Sequence, residues 1–290
     1  MRSSALFAAL LGLHLAIAAQ AQTPTCDGLG TEQKALAGQL LAEIHPYDCC
    51  DATIAECLQQ EPACVLARRL AENICRRVVA KEDRATITRG IQRRARSMMP
   101  TSTTATISLE GSPAIGSPES PVTVVEYACA RCPFCAKLTP QLHQAIVDGP
   151  LAGKVELHFK VFPIRNHEYS KETGLGFVAA AELGRFWEFV LLSYERFEEF
   201  SPAKQAEWAA AAGMDPAAFE KLVSAPATRE RLVASKKEGI VNKVEATPTF
   251  FINGRKFVGD MDREEMIDVL EEEYDRVTGV RYRDAKAARR

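Results

Sequence analysis

The sequence has almost no net charge: 36 Lys and Arg stand against 38 Asp and Glu, a formal −2 at pH 7. So small an imbalance removes any general case for nucleic-acid binding. Long apolar runs are missing as well, with one exception at the N-terminus. Elsewhere no stretch approaches the roughly 18 apolar residues of a membrane span. No long internal repeat is visible. Metal-ligand spacing is also scarce. Zinc takes about four Cys or His ligands, and Cys132-Pro133-Phe134-Cys135 is followed by no second C-x-x-C and no close His pair. That favours redox chemistry over a metal at this motif.

The exception is the start of the chain. Arg2 precedes an apolar run from Ala5 to Ala19, closed by Ala19-Gln20-Ala21. A basic start, a short apolar stretch and an A-x-A site read as a secretory signal peptide over 1–21, against the alternative of an uncleaved anchor. The mature protein is then expected to begin near Gln22 and to be periplasmic or otherwise extracytoplasmic. The nine cysteines agree with an oxidising compartment.

Six of them lie before residue 80: Cys26, Cys49, Cys50, Cys57, Cys64 and Cys75. Residues 22–99 read as a small all-α, Cys-rich module. Its helices are expected at 31–45, capped by Thr31, from Asp51 to Gln60, from Pro62 to about Ala80, and from Arg84 to Met98. Structural disulfides are the favoured reading of the six, a copper or zinc site the alternative. Six cysteines allow fifteen pairings, and sequence does not choose among them. The basic run from Arg68 to Arg96 reads as a solvated helix face rather than a surface for an acidic partner. Residues 100–118, rich in Thr, Ser, Gly and Pro, read as a linker with a short strand at Thr106–Leu109.

From 119 to 280 the pattern is that of an α/β domain, followed by a charged tail at 281–290. Pro121 to Tyr127 is apolar and β-branched, as in a buried strand. Ala136 to Val147 places Leu138, Leu142, Ala145 and Ile146 at helical spacing. The C-x-x-C therefore falls where strand becomes helix. A helix N-terminus carries unsatisfied N–H groups and partial positive charge, which favour a thiolate. Pro133 suits the first turn, with Cys132 at the cap and Cys135 one turn in. The outer sulfur is expected to be open to attack and the inner one shielded. Val155 to Phe162 alternates as a strand, 168–238 is mostly helical, Asn253-Gly254 marks a hairpin, and a last helix covers about Arg263 to Val277.

These residues resemble the DsbA-type branch of the thioredoxin superfamily. The resemblance rests on Val124-Val125-Glu126-Tyr127, Cys132-Pro133-Phe134-Cys135, Phe162-Pro163, Phe186-Trp187 and Thr247-Pro248-Thr249-Phe250-Phe251-Ile252-Asn253-Gly254. It implies a thioredoxin fold with an inserted helical subdomain at about 167–240. It implies a protein disulfide oxidoreductase with a redox-active Cys132–Cys135 disulfide, Cys132 as nucleophile and Cys135 as resolving thiol. Pro248 matches the family's cis-proline, with Thr247 beside it offering its backbone to an extended substrate; Pro133 and Phe134 flank the same surface. Glu126 matches the acidic residue that carries the proton of the inner thiol, and its carboxyl is expected to be buried with a raised pKa.

No cofactor is implied. The implied partners are exported Cys-containing proteins and a membrane redox protein that recycles the disulfide. The oxidase direction is favoured. A disulfide isomerase or reductase is the alternative, with 26–99 as a candidate oligomerising module. Phe134 departs from the His of strongly oxidising members, which predicts a less depressed Cys132 pKa and a less oxidising disulfide than theirs. Cys129 is left to pair with the site, to pair with Cys26, or to remain a buried thiol.

Overall fold

The computed structural model of the protein describes residues 25–99 and 104–281. The segment 1–21 expected to be a signal peptide, part of the expected linker and the tail beyond Arg281 lie outside the described residues.

The N-terminal module holds α1 (Thr31–Glu43), α2 (Ile54–Cys57), α3 (Val65–Val79) and α4 (Arg84–Met98). Three of its starts differ from expectation. Gly30, not Thr31, caps α1, and Gln33 Oε1 accepts from the Gly30 N–H. Thr53, not Asp51, caps α2 through a reciprocal pair with Glu56. Pro62 stays outside α3, which begins after Cys64, whose Sγ accepts from the Ala67 N–H. Asp83 caps α4. Disulfides join Cys26 to Cys75, Cys49 to Cys64 and Cys50 to Cys57. They close around a small core built on Leu40, Ile54, Leu70, Ile74 and Ile87. With all six sulfurs paired, the module offers no thiolate ligands to copper or zinc.

The α/β part follows as β1 (Ala114–Gly116), β2 (Val122–Ala128), α5 (Pro133–Asp148), β3 (Val155–Val161), α6 (Ser170–Glu182), α7 (Phe186–Glu195), α8 (Gln205–Ala211), α9 (Pro216–Val223), α10 (Pro226–Val241), β4 (Thr249–Ile252), β5 (Arg255–Lys256) and α11 (Arg263–Val277). The sheet order is β1-β3-β2-β4-β5. The central β2 runs parallel to β3 through the α5 crossover and antiparallel to β4, with Glu126 opposite Phe159 and Phe250. Side chains alternate across the sheet. Val122 and Val124 face Leu138 and Leu142 of α5 and Met266 and Val269 of α11. Val125 and Tyr127 face the other way, with Phe162 and Phe251. There α10 packs so closely that a Cβ on Gly239 would lie 2.6 Å from the Phe162 ring. Asn253 and Gly254, at φ 45° and 79°, make the hairpin between β4 and β5.

The strand expected at Thr106–Leu109 is not formed. The Ser108 N–H donates to Glu238 Oε1, and Asn242 Nδ2 donates to Thr106 O, so side chains of α10 take the groups a neighbouring strand would use. The edge strand beside β3 is β1, which runs antiparallel to it. Helices α6 to α10 form the inserted block, packed around Phe177, Phe186, Phe189, Trp208 and Phe219.

The basic run at Arg68–Arg96 is not a solvated face. Arg69, Arg76, Arg77, Arg93 and Arg94 turn onto α11 and the segment before it, while Arg89 and Arg96 stay exposed. Arg94 is fully buried and donates to Asp268 at 2.6 Å and to Glu272 at 2.6 Å. Tyr47 donates to the same Glu272, at 2.6 Å. Arg69 reaches Asp268, Glu271 and Asp275. Arg77 and Arg93 share Asp260. The acidic partner of this run is therefore another part of the same chain.

Candidate active site

Cys132 caps α5 with extended backbone (φ −100°, ψ 121°), and Pro133 occupies the first helical position. The Ala136 N–H donates to Cys132 O at 2.9 Å, opening the helical ladder. Behind the cap, the Cys132 N–H donates to Cys129 O at 3.1 Å. Cys129, Cys132 and Cys135 are free thiols in this structure. The Thr247–Pro248 peptide is cis, and the Cys132 thiol donates to Thr247 O at 3.2 Å. The chain thus brings Thr247 against Cys132 across a separation of 115 residues.

The two sulfurs sit in opposite electrostatic surroundings. Cys132 is lowered to about 5, first because the Cys135 thiol donates to it. Burial opposes this shift, while the Thr247 side chain and the amides of Cys135 and Phe134 add to it. Burial, the same thiol pairing and the nearby Glu126 push Cys135 well above the ordinary thiol range. No cation is among the main causes at Cys132. The nearby Arg131 turns away, its guanidinium 4.1 Å over the Phe197 ring. Phe134 is 71% exposed and its ring brings no charge, so the helix start and the inner thiol do the lowering.

Glu126 is fully buried, as expected of a carboxyl in this strand. Burial raises it to about 8, opposed by the Thr139 hydroxyl, which donates to Oε1 at 2.6 Å. Oε2 has no hydrogen-bond partner among the described residues. Strand alternation aims Glu126 at α5, where Thr139 lies one turn beyond Cys135. The carboxyl is near enough to raise Cys135 and to be raised by Cys132. At neutral pH it holds a proton beneath the sulfurs.

One expectation needs correcting. In this dithiol form the outer sulfur is covered: Cys132 is 1% exposed as a residue, Cys135 fully buried. The Thr247 segment packs onto the Cys132 sulfur while Pro133 and Phe134 take the outer surface. Sequence reading also missed three neighbours. Thr139 was legible as the position four residues after Cys135. His167, whose Nδ1 is 3.3 Å from Cys129 Sγ, and Tyr194, whose hydroxyl donates to Cys129 O at 3.3 Å, come from segments with no motif of their own. They hold Cys129 as a buried thiol, raised by burial, and Cys26 is paired elsewhere.

The thioredoxin family model matches residues 108–272, more than half of the chain. The chain belongs to the thioredoxin family. Its fold is similar to that of oxidised BdbD from Bacillus subtilis, at 20% identity and TM-score 0.51, covering 60% of this chain and 98% of that one. It is also similar to alpha-DsbA1 from Wolbachia pipientis, at 18% identity and TM-score 0.52, covering 60% and 96%. Among curated proteins, the Na(+)/H(+) antiporter NhaA 3 of Salinispora tropica is 32% identical over 144 residues, 50% of this chain but 22% of that protein. NhaA 1 of Mycolicibacterium gilvum is 28% identical over 159 residues, 54% of this chain and 25% of the other. The chain therefore spans about a quarter or less of these relatives' length. Among the described residues no helix is long and apolar enough to cross a membrane, and transport stays with those proteins. This thioredoxin-family chain adds to the fold both the helical block α6–α10 and the disulfide-bonded module.

The contribution of position 134 is measurable. Phe134→His places an imidazolium at the helix start at little packing cost, because the side chain is exposed. The Cys132 pKa is expected to fall below 5. The disulfide is expected to become more oxidising by about 30 mV per pKa unit. Redox titration against glutathione reads the shift; an unchanged potential would show that thiolate stability at this site is insensitive to position 134.

Proposed function

We propose that the protein is a thiol–disulfide oxidoreductase acting on exported, Cys-containing proteins, in the oxidising direction. The observation that carries this reading is the contrast between Cys132, lowered to about 5, and Cys135, raised well above 9. A stabilised Cys132 thiolate favours the dithiol form, and a disulfide whose reduced form is favoured is an oxidant. The lower-pKa sulfur is also the better leaving group when a mixed disulfide is resolved.

The exchange balances as follows. A substrate thiolate attacks Cys132 Sγ of the Cys132–Cys135 disulfide. The S–S bond breaks, and Cys135 departs with the electron pair and takes a proton from Glu126. A second substrate thiolate attacks the substrate sulfur of the mixed disulfide and expels Cys132 as thiolate. Two electrons have then passed from substrate to protein, and a membrane redox protein withdraws them to restore the disulfide. In the disulfide form Cys132 has no proton to give Thr247 O. That carbonyl is then free to accept a substrate amide, with Pro133, Phe134 and Pro248 framing the docked chain. The disulfide-rich module supports an extracytoplasmic setting.

Cys135→Ala tests the reading. Cells expressing it are expected to accumulate mixed disulfides through Cys132, reducible by dithiothreitol and lost in the Cys132→Ser, Cys135→Ala double variant. A variant that traps nothing would sink the proposal; trapped adducts would name the substrates.

A further inference from the structure

One cationic surface of the fold is used by none of the chemistry above. The loop after β3 and the exposed side of α10 form a groove floored by Ile164 and Leu232. Arg165 and Lys171 stand on one wall, Arg229 and Lys237 on the other, all exposed. None of the four makes an ion pair or side-chain hydrogen bond among the described residues. Lys236, between them, is fixed: its Nζ donates to Pro163 O at 2.8 Å and lies 3.4 Å over the Phe162 ring. The groove also carries two carboxylates, Glu168 and Glu172, against its five cations. The result is an excess of positive charge on a protein whose overall charge is −2. Most other arginines of the chain that face a neighbour are neutralised, above all those held on α11.

The groove backs onto the core that holds the thiol site. Leu232 shares a packed core with Cys132 and Cys135, and Ile164 packs against that core. His167 lines the groove and reaches Cys129 Sγ, three residues before Cys132. Tyr169 and Val233, 39% and 43% exposed, supply apolar contact beside the cations.

We propose that this groove docks an acidic segment of the substrate polypeptide next to the cysteine being oxidised. The proposal rests on the oxidoreductase reading above and adds a substrate preference to it. Uncompensated charge of one sign lining a cleft raises the local concentration of oppositely charged partners and their encounter rate. Carboxylates flanking a substrate cysteine would meet Arg165 and Lys171 on one side and Arg229 and Lys237 on the other. The segment's own thiolates then reach the Cys132 disulfide, and two electrons pass to the Cys132–Cys135 pair, Cys135 taking its proton from Glu126 and Cys132 leaving as the thiolate.

The test uses the oxidised full-length protein and two synthetic dithiol peptides with the same cysteine spacing. One carries Asp and Glu beside the cysteines, the other Ser and Gln. Wild type is expected to oxidise the acidic peptide about tenfold faster at low ionic strength, the ratio falling toward one as salt is raised. Arg229→Glu with Lys237→Glu is expected to bring the ratio to one or below at low salt. Equal rates for the two peptides, or a preference that survives the charge reversal, would overturn the docking proposal and leave the oxidoreductase reading standing. Failure to oxidise either peptide would remove both.

Discussion

Arg94→Ala is expected to cost about 3–5 kcal/mol of folding stability, more than any other single arginine of the module. Arg94 is fully buried, and its guanidinium is shared between Asp268 and Glu272 of α11. Asp268 is held below the usual carboxylate range: burial raises it, and Arg94, Arg69 and Arg76 together outweigh that. Glu272 is already raised by burial, with Arg94 and Tyr47 pulling it back. Removing Arg94 strands both acids in a dry interface. The expected outcome is an unfolding midpoint well below wild type in denaturant, with early proteolysis between residues 80 and 110. Arg84→Ala is the control. Arg84 pairs with Glu43 at 41% and 60% side-chain exposure, and an exposed pair of this kind contributes about 0–1 kcal/mol. Equal losses for the two variants would mean that the network does not hold the module.

Glu126→Gln is expected to slow the proton-coupled departure of Cys135 by about a hundredfold, the usual reach of a positioned proton donor. The cause is the carboxyl at about 8, buried beneath the sulfurs with one oxygen on Thr139. The amide keeps the shape and the Thr139 contact but carries no titratable proton. The pH dependence separates this from a structural effect. In wild type the donor is present below about 8 and lost above it, so the exchange rate at a fixed thiolate concentration should fall through that pH. In the variant the fall should be gone.

Stability gives an independent sign. The folded-state pKa of Glu126 is raised, so its carboxyl keeps a proton that the unfolded chain releases near 4.5. Stability is therefore lost as pH rises from about 4.5 to 8, and Glu126→Gln should become progressively more stable than wild type across that window. Cys132 works in the other direction. Its depressed pKa makes a contribution that is full above about 9 and lost as pH falls toward 5. Because Cys132 itself raises Glu126, the comparison is made in a Cys132→Ser background, which removes that contribution from both proteins.

Much of the α/β domain was legible in the residues. The β-branched run before Cys132, Pro133 inside the first turn and the helical spacing of Leu138, Leu142 and Ile146 gave β2, the cap and α5. Asn253-Gly254 gave the hairpin, and the burial of Glu126 followed from its apolar strand neighbours. What escaped depended on distance along the chain. Nothing local to Arg69, Arg77 or Arg94 announces partners near residues 260–275, so the run looked like a solvated face. The six module cysteines were countable, but their pairing depends on how α1 to α3 pack. The covering of Cys132 by Thr247 needs the sheet assembled before it can be seen, and the Cys129–His167 contact joins two loops with no periodicity to read.

The most direct measurement is the ultraviolet thiolate absorbance of the fully reduced protein as a function of pH. Burial raises Cys129 and Cys135, so the first thiol to ionise should be Cys132. An inflection near 5 that is missing from Cys132→Ser is the expected result. No thiolate signal until about 9, the ordinary range of an unperturbed thiol, would contradict a site built to hold Cys132 as an anion.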